Sequence, residues 1–513
     1  MTMLVKLDQS HNWRLRYHLQ MPSGNMTDPN GLCQFKGTYH VFHQYEPRWP
    51  REMGHGWGHW SSPDLITWYW HGGTIMPSCQ LDKNGSYSGS TVVRDGQMWC
   101  YYTGNELMPG GREAGYDYDF KGRKANETLV TSDDGVHFTT DDKRLVLGNE
   151  GYPAYCSNHV RDPKVWWQDG AWRMLLGCRT LESRGCVLLY KSADGLAWEM
   201  EGSATNTGGT PFGYMWECPN VVQLGGREFL FVCPQGIPKR QYRFQCIHNS
   251  GYFPVEGKVI DLMAQDPGLM EADGPYRCID ADTFVELDFG FDFYADQPFV
   301  DEQGRAILIA WAGVADMEFE YDVPTTREWA HTLTMPRELS LNEAGNICQW
   351  PVAEMEQLRT GEVEFKPELA HGSTGFMGSS TYDKFDMTGA IGARFDGIGE
   401  FSIEDIEGAG RFMLNGDLEF VINDDDAELV FHSHAGRYRS VRRLPLSRLS
   451  AGSVKSLRVM VDTSVVEIFV NGGEVTMTTR WFPLDIKNLA VTSTIRGAHR
   501  AWSLRGYEFQ NIA

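Results

Sequence analysis

Four acidic residues take comparable places along the first two-thirds of the chain. Asp28 stands nine residues before Gly37 (TDPNGLCQFKG) and Asp162 eight before Gly170 (RDPKVWWQDG). Glu217 stands nine before Gly226 (ECPNVVQLGG) and Asp296 eight before Gly304 (ADQPFVDEQG). A fifth place of the same kind, eight before Gly96, holds Ser88. Carboxylates gathered in one place repel one another, so at least one pKa rises, as a general acid working near neutral pH requires. Prolines follow at Pro29, Pro163 and Pro219; each fixes its local backbone and removes one donor, which suits a rigid strand entrance. The plainer explanation is that such acids cap turns. Four in phase, with Arg161 beside Asp162, favour a site. Aromatic residues lie near the same points: Trp57, Tyr87, Trp216, Tyr294 and Trp311. Apolar faces with a few polar groups suit a sugar pocket, although any one aromatic alone is more often core.

The elements that must hold these acids repeat as well. A glycine-led apolar run begins at Gly37 (GTYHVFHQY), Gly96 (GQMWCYYTG), Gly170 (GAWRMLLGC), Gly226 (GREFLFVCP) and Gly304 (GRAILIAWA). Each run is short and rich in β-branched or aromatic residues behind a turn signal, so each predicts a strand. A second mark, S-x-D-x-x-x-aromatic, recurs at Ser62–Trp68, Ser132–Phe138 and Ser192–Trp198. It is turn chemistry followed by a new strand. All-β repeats of more than 50 residues predict propeller blades, and five copies predict five blades. The acids would then start the strand nearest the axis and cluster at one mouth of the central channel.

Composition limits the reading further. The chain has 513 residues and a formal net charge of -22, which speaks against nucleic acid or anionic lipid as partners and suits a neutral small molecule. The first ten residues, MTMLVKLDQS, lack the apolar core of a secretion signal, and no stretch reaches the length of a membrane span. Eleven cysteines, an odd number without a CxxC pair, predict reduced thiols and a cytoplasmic location. No cofactor motif and no metal-ligand pattern is found; His55 and His59 are four apart, but in a glycine-rich setting that does not predict a helix.

After Pro336 the pattern changes. Residues 351–358 predict a short helix, with Pro at its first turn and apolar residues at 352, 355 and 358. Val466, Ile468 and Val470 alternate with Glu467 and Phe469 before a turn at Asn471, Gly472 and Gly473, as in sandwich strands joined by a hairpin. The expected organisation is a propeller over 1–345, a linker with a short helix over 346–364 and a β-sandwich over 365–513. The expected role of the sandwich is to brace the propeller or form a dimer contact.

The motifs TDPNG at 27–31, RDP at 161–163 and ECP at 217–219 resemble the signatures of glycoside hydrolase family 32, the invertases and other β-fructofuranosidases. Segments 42–47 (FHQYEP), 57–59 (WGH) and 87–90 (YSGS) resemble its sugar-binding stretches, and 457–469 resembles part of its accessory domain. The resemblance implies an all-β chain: a five-bladed propeller followed by a C-terminal β-sandwich. It implies Asp28 as nucleophile, Glu217 as general acid and then base, and Asp162 as the residue that holds sugar hydroxyls and stabilises the transition state. It implies Gln44, Trp57, Tyr87, Ser88, Arg161 and Trp311 as substrate-binding residues. The implied reaction releases terminal β-fructofuranosyl units from sucrose and short fructo-oligosaccharides with retention, for which the two carboxyls should lie ~5–5.5 Å apart. Thr27 departs from the Asn common in the family, and the role of Asp296 stays open. Alternatives on the same scaffold are a fructosyltransferase, an arabinofuranosidase-like enzyme and a non-catalytic sugar-binding propeller.

Overall fold

The computed structural model describes residues 13–50, 54–111, 117–207, 210–263, 277–316, 329–367, 389–432, 440–483, 485, 487–506 and 508–511. The stretch Met1–Ser10 lies outside them. Five sheets are arranged as blades around an axis, and two further sheets form a sandwich beside them. The inner strands of the blades are Gly24–Phe35, Ser86–Arg94, Cys156–Gln168, Met215–Leu224 and Tyr294–Val300. They touch in ring order, and the fifth touches the first.

The five glycines of the repeats are explained by the turns that leave the inner strands. Positive φ occurs in pairs at Lys36 (52°) and Gly37 (80°), Asp95 (50°) and Gly96 (79°), Asp169 (48°) and Gly170 (77°), and Gly225 (55°) and Gly226 (81°). Two successive positive φ values make the type I′ hairpin turn, whose twist matches that of the flanking strands. Blade five uses a longer loop from Asp301 to Arg305, with Gly304 at φ 83°. The S-x-D mark is also a turn device. Asp64, Asp134 and Asp194 each accept two backbone amides and the hydroxyl of the serine two residues earlier.

Every inner strand carries a β-bulge at the same place. Two residues face one partner at Thr27 and Asp28, Tyr87 and Ser88, Asp162 and Pro163, Cys218 and Pro219, and Ala295 and Asp296. Bulges bend a strand and re-aim its side chains. Asp162, Cys218 and Ala295 take positive φ there, at 65°, 47° and 52°. A bulge residue is released from the ladder, so Pro163 and Pro219 cost no strand hydrogen bond. The acids are therefore less regular than their count from the glycines predicts. Asp28, Ser88 and Asp296 hold the second bulge position, Asp162 the first, and Glu217 the residue before the bulge.

Blade five closes on blade one through Glu302 N–H, which donates to Gln34 Oε1 at 2.8 Å. Near the axis Gln297 accepts from Leu32 N–H and donates to the Gly89 carbonyl, both at 3.0 Å, and so ties three blades together. Residues Ile347–Pro351, expected in the linker, form the outer strand of blade five. The expected helix is a 3-10 turn over Ala353–Leu358 that buries Met355 and Leu358. Arg359–Glu362 already pairs with sandwich strand Arg496–Leu504, so the connection between the two bodies is short.

The sandwich strand Val465–Val470 shows how the bodies meet. Its Val466, Ile468 and Val470 enter the sandwich core, while Phe469 joins the cluster under the propeller that contains Trp68 and Val352. Successive side chains of a strand point to opposite faces, so Glu467 shares the propeller-facing side, where it meets Arg337. The sandwich braces the propeller through that face.

Candidate active site

Three inner strands bring Asp28, Asp162 and Glu217 to one mouth of the channel. Asp28, half-buried on blade one, accepts from Ser88 Oγ of blade two at 2.7 Å. Asp162 of blade three accepts from the Cys218 backbone N–H of blade four at 2.9 Å. Burial raises the Asp162 pKa first; Arg161 and the Cys218 amide oppose that, and the Asp28 charge adds to it. The Asp28 charge thus reaches Asp162, as a like charge in the same site does. Glu217 is 7% exposed. Its Oε1 pairs with Arg161, and its Oε2 accepts from Tyr294 OH at 2.7 Å and Gln235 Nε2 at 2.8 Å.

The bulge geometry explains why these residues converge. At Asp162 the positive φ frees the backbone N–H to donate to Thr103 Oγ1 of blade two at 3.0 Å. Thr103 in turn donates to Glu127 Oε2 at 2.9 Å. Glu127 is fully buried, and burial lifts its carboxyl to about 8. A protein wall therefore supports Asp162 from behind.

The expected binding residues divide into two groups. Ser88, Arg161 and Gln44 lie at the mouth. Asn30, with its amide turned to satisfy its neighbours, donates to Ser88 Oγ at 3.2 Å and accepts from Gln44 Nε2 at 3.1 Å, linking Gln44 to Asp28 through Ser88. Gln44 Oε1 is buried without a hydrogen-bond partner. Tyr87 is partly exposed, with the Arg161 guanidinium 5.9 Å from its ring centroid. Trp57 and Trp311 are core residues beside the mouth. Trp57 is fully buried and its Nε1 donates to the Tyr87 carbonyl at 2.8 Å, so it holds the blade-two bulge. Trp311, 3% exposed, packs edge-on against Tyr294 at 6.5 Å. Asp296 is in phase in the sequence but not in the cluster. It is fully buried, approached by Cys233 Sγ at 3.6 Å, and burial raises its pKa to about 7.

The sequence did not single out Gln235, Thr103 or Glu127, and offered Tyr294 only as a nearby aromatic. Gln235 was within reach, because the Met215–Leu224 hairpin sets it opposite Met215, two residues before Glu217. Thr103 and Glu127 carry no local signal. His55 and His59 turn to different partners: His55 Nδ1 lies 3.0 Å from Glu46, and His59 Nε2 lies 2.9 Å from His40 Nδ1. Among the described residues no group of three or more His, Cys, Asp and Glu could hold a metal ion, and no helix is long and apolar enough to cross a membrane. The ten described cysteines are free thiols.

A five-bladed propeller with carboxylates from three inner strands at one mouth defines a carbohydrate-active scaffold of the glycosidase type. Known proteins agree. Residues 18–351 match the glycosyl hydrolases family 32 N-terminal domain, and residues 419–503 match the family 32 C-terminal domain. The chain is 34% identical over 497 residues to a sucrose-6-phosphate hydrolase of Bacillus subtilis, covering 94% of this chain and 92% of that one. It is 32% identical to a raffinose invertase of Escherichia coli over 93% and 90% of the two chains. Among solved structures, a sucrose-6-phosphate hydrolase from Lactobacillus gasseri superposes with TM-score 0.77 at 26% identity, covering 98% and 96% of the chains. A β-fructofuranosidase from Bombyx mori does so with TM-score 0.74 at 25% identity over 97% and 95%. The chain belongs to glycoside hydrolase family 32.

Proposed function

We propose that the protein releases the terminal β-fructofuranosyl unit of sucrose-type sugars by a retaining mechanism, and that its substrates include sucrose phosphorylated on the glucosyl ring. The observation that carries the reading is the gathering of Asp28, Asp162 and Glu217 at one mouth, each held by a different set of donors. Glu217 protonates the glycosidic oxygen while the Asp28 carboxylate attacks the anomeric carbon. The bond to the leaving sugar breaks and a fructosyl ester forms on Asp28. Asp162 and Asp28 offset the positive charge that develops on the ring. Glu217, now ionised, takes a proton from water, which displaces Asp28 and releases fructose with its configuration retained.

The neighbours suit these roles. Ser88 orients the Asp28 carboxylate. Tyr294 and Gln235 fix Glu217 Oε2 and leave Oε1, beside Arg161, as the oxygen that exchanges protons. Gln44, with a buried acceptor still unfilled, is placed to take a sugar hydroxyl. The phosphorylated substrate follows from the names of the relatives of similar length. The test is product analysis by chromatography with sucrose, sucrose 6-phosphate, 1-kestose and inulin. Free fructose from the sucroses supports the reading. No reaction on any fructoside, or larger oligosaccharides in place of free fructose, contradicts it.

A further inference from the structure

One polar cluster beside Glu217 has no part in the two-carboxylate chemistry. His159 lies on the inner strand of blade three, two residues before Arg161, and is 4% exposed. Neither of its ring nitrogens makes a hydrogen bond. Nε2 is 4.0 Å from Glu217 Oε1, and Nδ1 is 3.8 Å from Asp119 Oδ1. Burial, then the positive charges of Arg161, Arg123 and Arg179, hold its pKa well below the ordinary value. Three guanidiniums thus surround a neutral, buried imidazole. Arg123 begins the third strand of blade two, and Arg179 is the last residue but one of the second strand of blade three. Asp119 orients both, at 3.5 Å from Arg123 Nη2 and 3.3 Å from Arg179 Nη1. The Arg179 guanidinium also lies 4.7 Å from the ring centroid of Tyr214, just ahead of the strand that carries Glu217.

Arginine concentrated in this way is unusual in a chain of net charge -22. A core histidine normally has a partner for at least one ring nitrogen, and buried polar atoms without partners call for an explanation. Position supplies one. The general acid must touch the glycosidic oxygen, so groups beside Glu217 on the side of Asp119 flank the leaving sugar. A phosphate ester there would find planar forked donors suited to its oxygens and an imidazole N–H to complete them.

We infer that His159, Arg123 and Arg179 form an anion subsite for a phosphate carried on the leaving sugar, making the phosphorylated glucosyl ring a specificity element of this enzyme. The inference rests on the fructosidase reading above. Arg161, shared with Glu217, couples the subsite to the general acid.

The test compares kcat/KM for sucrose 6-phosphate and for sucrose in wild type, Arg179→Gln, Arg179→Lys and His159→Asn, with glucose 6-phosphate and glucose as competing inhibitors. The ratio favouring the phosphorylated sugar should fall about 10- to 100-fold in Arg179→Gln, chiefly through KM, and glucose 6-phosphate inhibition should weaken in step. Arg179→Lys, which keeps the charge, should recover part of the ratio. His159→Asn provides an independent variant if the arginine change impairs folding. A wild type that cleaves both sugars equally overturns the subsite and leaves the fructosidase reading standing. So do folded variants that lose both activities alike. A wild type inactive on both sugars overturns the fructosidase reading itself.

Discussion

Two of the regions that bury carboxylates treat them in opposite ways. At the seam between propeller and sandwich, Asp462 accepts the backbone N–H groups of Arg16, Tyr17 and His18 at 2.8 to 2.9 Å, and His18 Nδ1 at 2.9 Å. Glu467 accepts from both Arg337 Nε and Nη2, from His18 Nε2 and from Met335 N–H. Burial alone would raise the Glu467 pKa, but Arg337 and His18 bring it below the ordinary value. At the mouth Asp162 has one amide, a thiol and a distant share of Arg161, and its pKa is raised. Carboxylates supplied with donors on every side lock two bodies together. Asp162, left short of donors, is an acid suited to meet a developing cation, whereas Glu217 beside it is held by Arg161, Tyr294 and Gln235. Asp162 and Glu467 thus differ through the donors and charges aimed at them.

The sharpest way to break this comparison is to change one carboxylate in each region and read both activity and stability. Asp28→Asn and Glu217→Gln should each lower kcat roughly 1,000- to 100,000-fold while thermal melting shows little loss of stability. Glu467→Gln should do the reverse. It leaves the fully buried Arg337 underpaired, so denaturant unfolding should show a loss of about 3–5 kcal/mol, with kcat per folded molecule close to wild type. Activity loss at the seam without destabilisation would end the comparison.

The pH dependence sharpens it further. Burial favours a lower pKa for His18, but its bonds to Asp462 and Glu467 lift it to about 9. A histidine raised in the folded state stabilises fully below its unfolded value near 6.5 and loses that contribution as pH rises through 9. The stability gap between wild type and His18→Asn should therefore shrink by about 3 kcal/mol between roughly pH 6 and pH 9.5. His40 and His43 in blade one run the other way. Burial holds both near 4, so their contribution is present above about 6.5 and is lost as pH falls toward 4. The smallest effect belongs to the wall behind Asp162. Thr103→Val removes the acceptor of its N–H, and kcat should drop about tenfold with KM nearly unchanged.

Much of this architecture could be read from residues alone. Four of the five glycines announced blades because a type I′ turn requires positive φ, and Gly304 takes positive φ in a longer loop. The alternation at Val466, Ile468 and Val470 announced a strand, whose second face is buried as well, against the propeller. The acids announced a site, yet their phase was only approximate. The stretch from bulge to turn differs between blades, and blade one adds a second irregularity between Asn30 and Cys33, so counting back from a glycine cannot align them. Asp296 shows the consequence: it is in phase, but it is buried against Cys233 and Ser250. Gln235, Thr103 and Arg337 were hidden for another reason. Each acts through a partner far along the chain, and nothing local marks such a pairing. The seam residues Asp462 and Glu467 lay inside a recognised stretch, but their partners His18 and Arg337 could be found only in three dimensions.

The central claim, that Asp28 bonds to the fructosyl unit, is tested most directly by trapping. Glu217→Gln, which should slow the second step, is quenched in acid while turning over an activated fructoside, digested, and its peptides are examined by mass spectrometry. The account predicts one hexosyl unit on the peptide containing Asp28, located at that residue, and none in Asp28→Asn. A label on Asp162 or Glu217, or an unlabelled protein that releases fructose of inverted configuration, would contradict it.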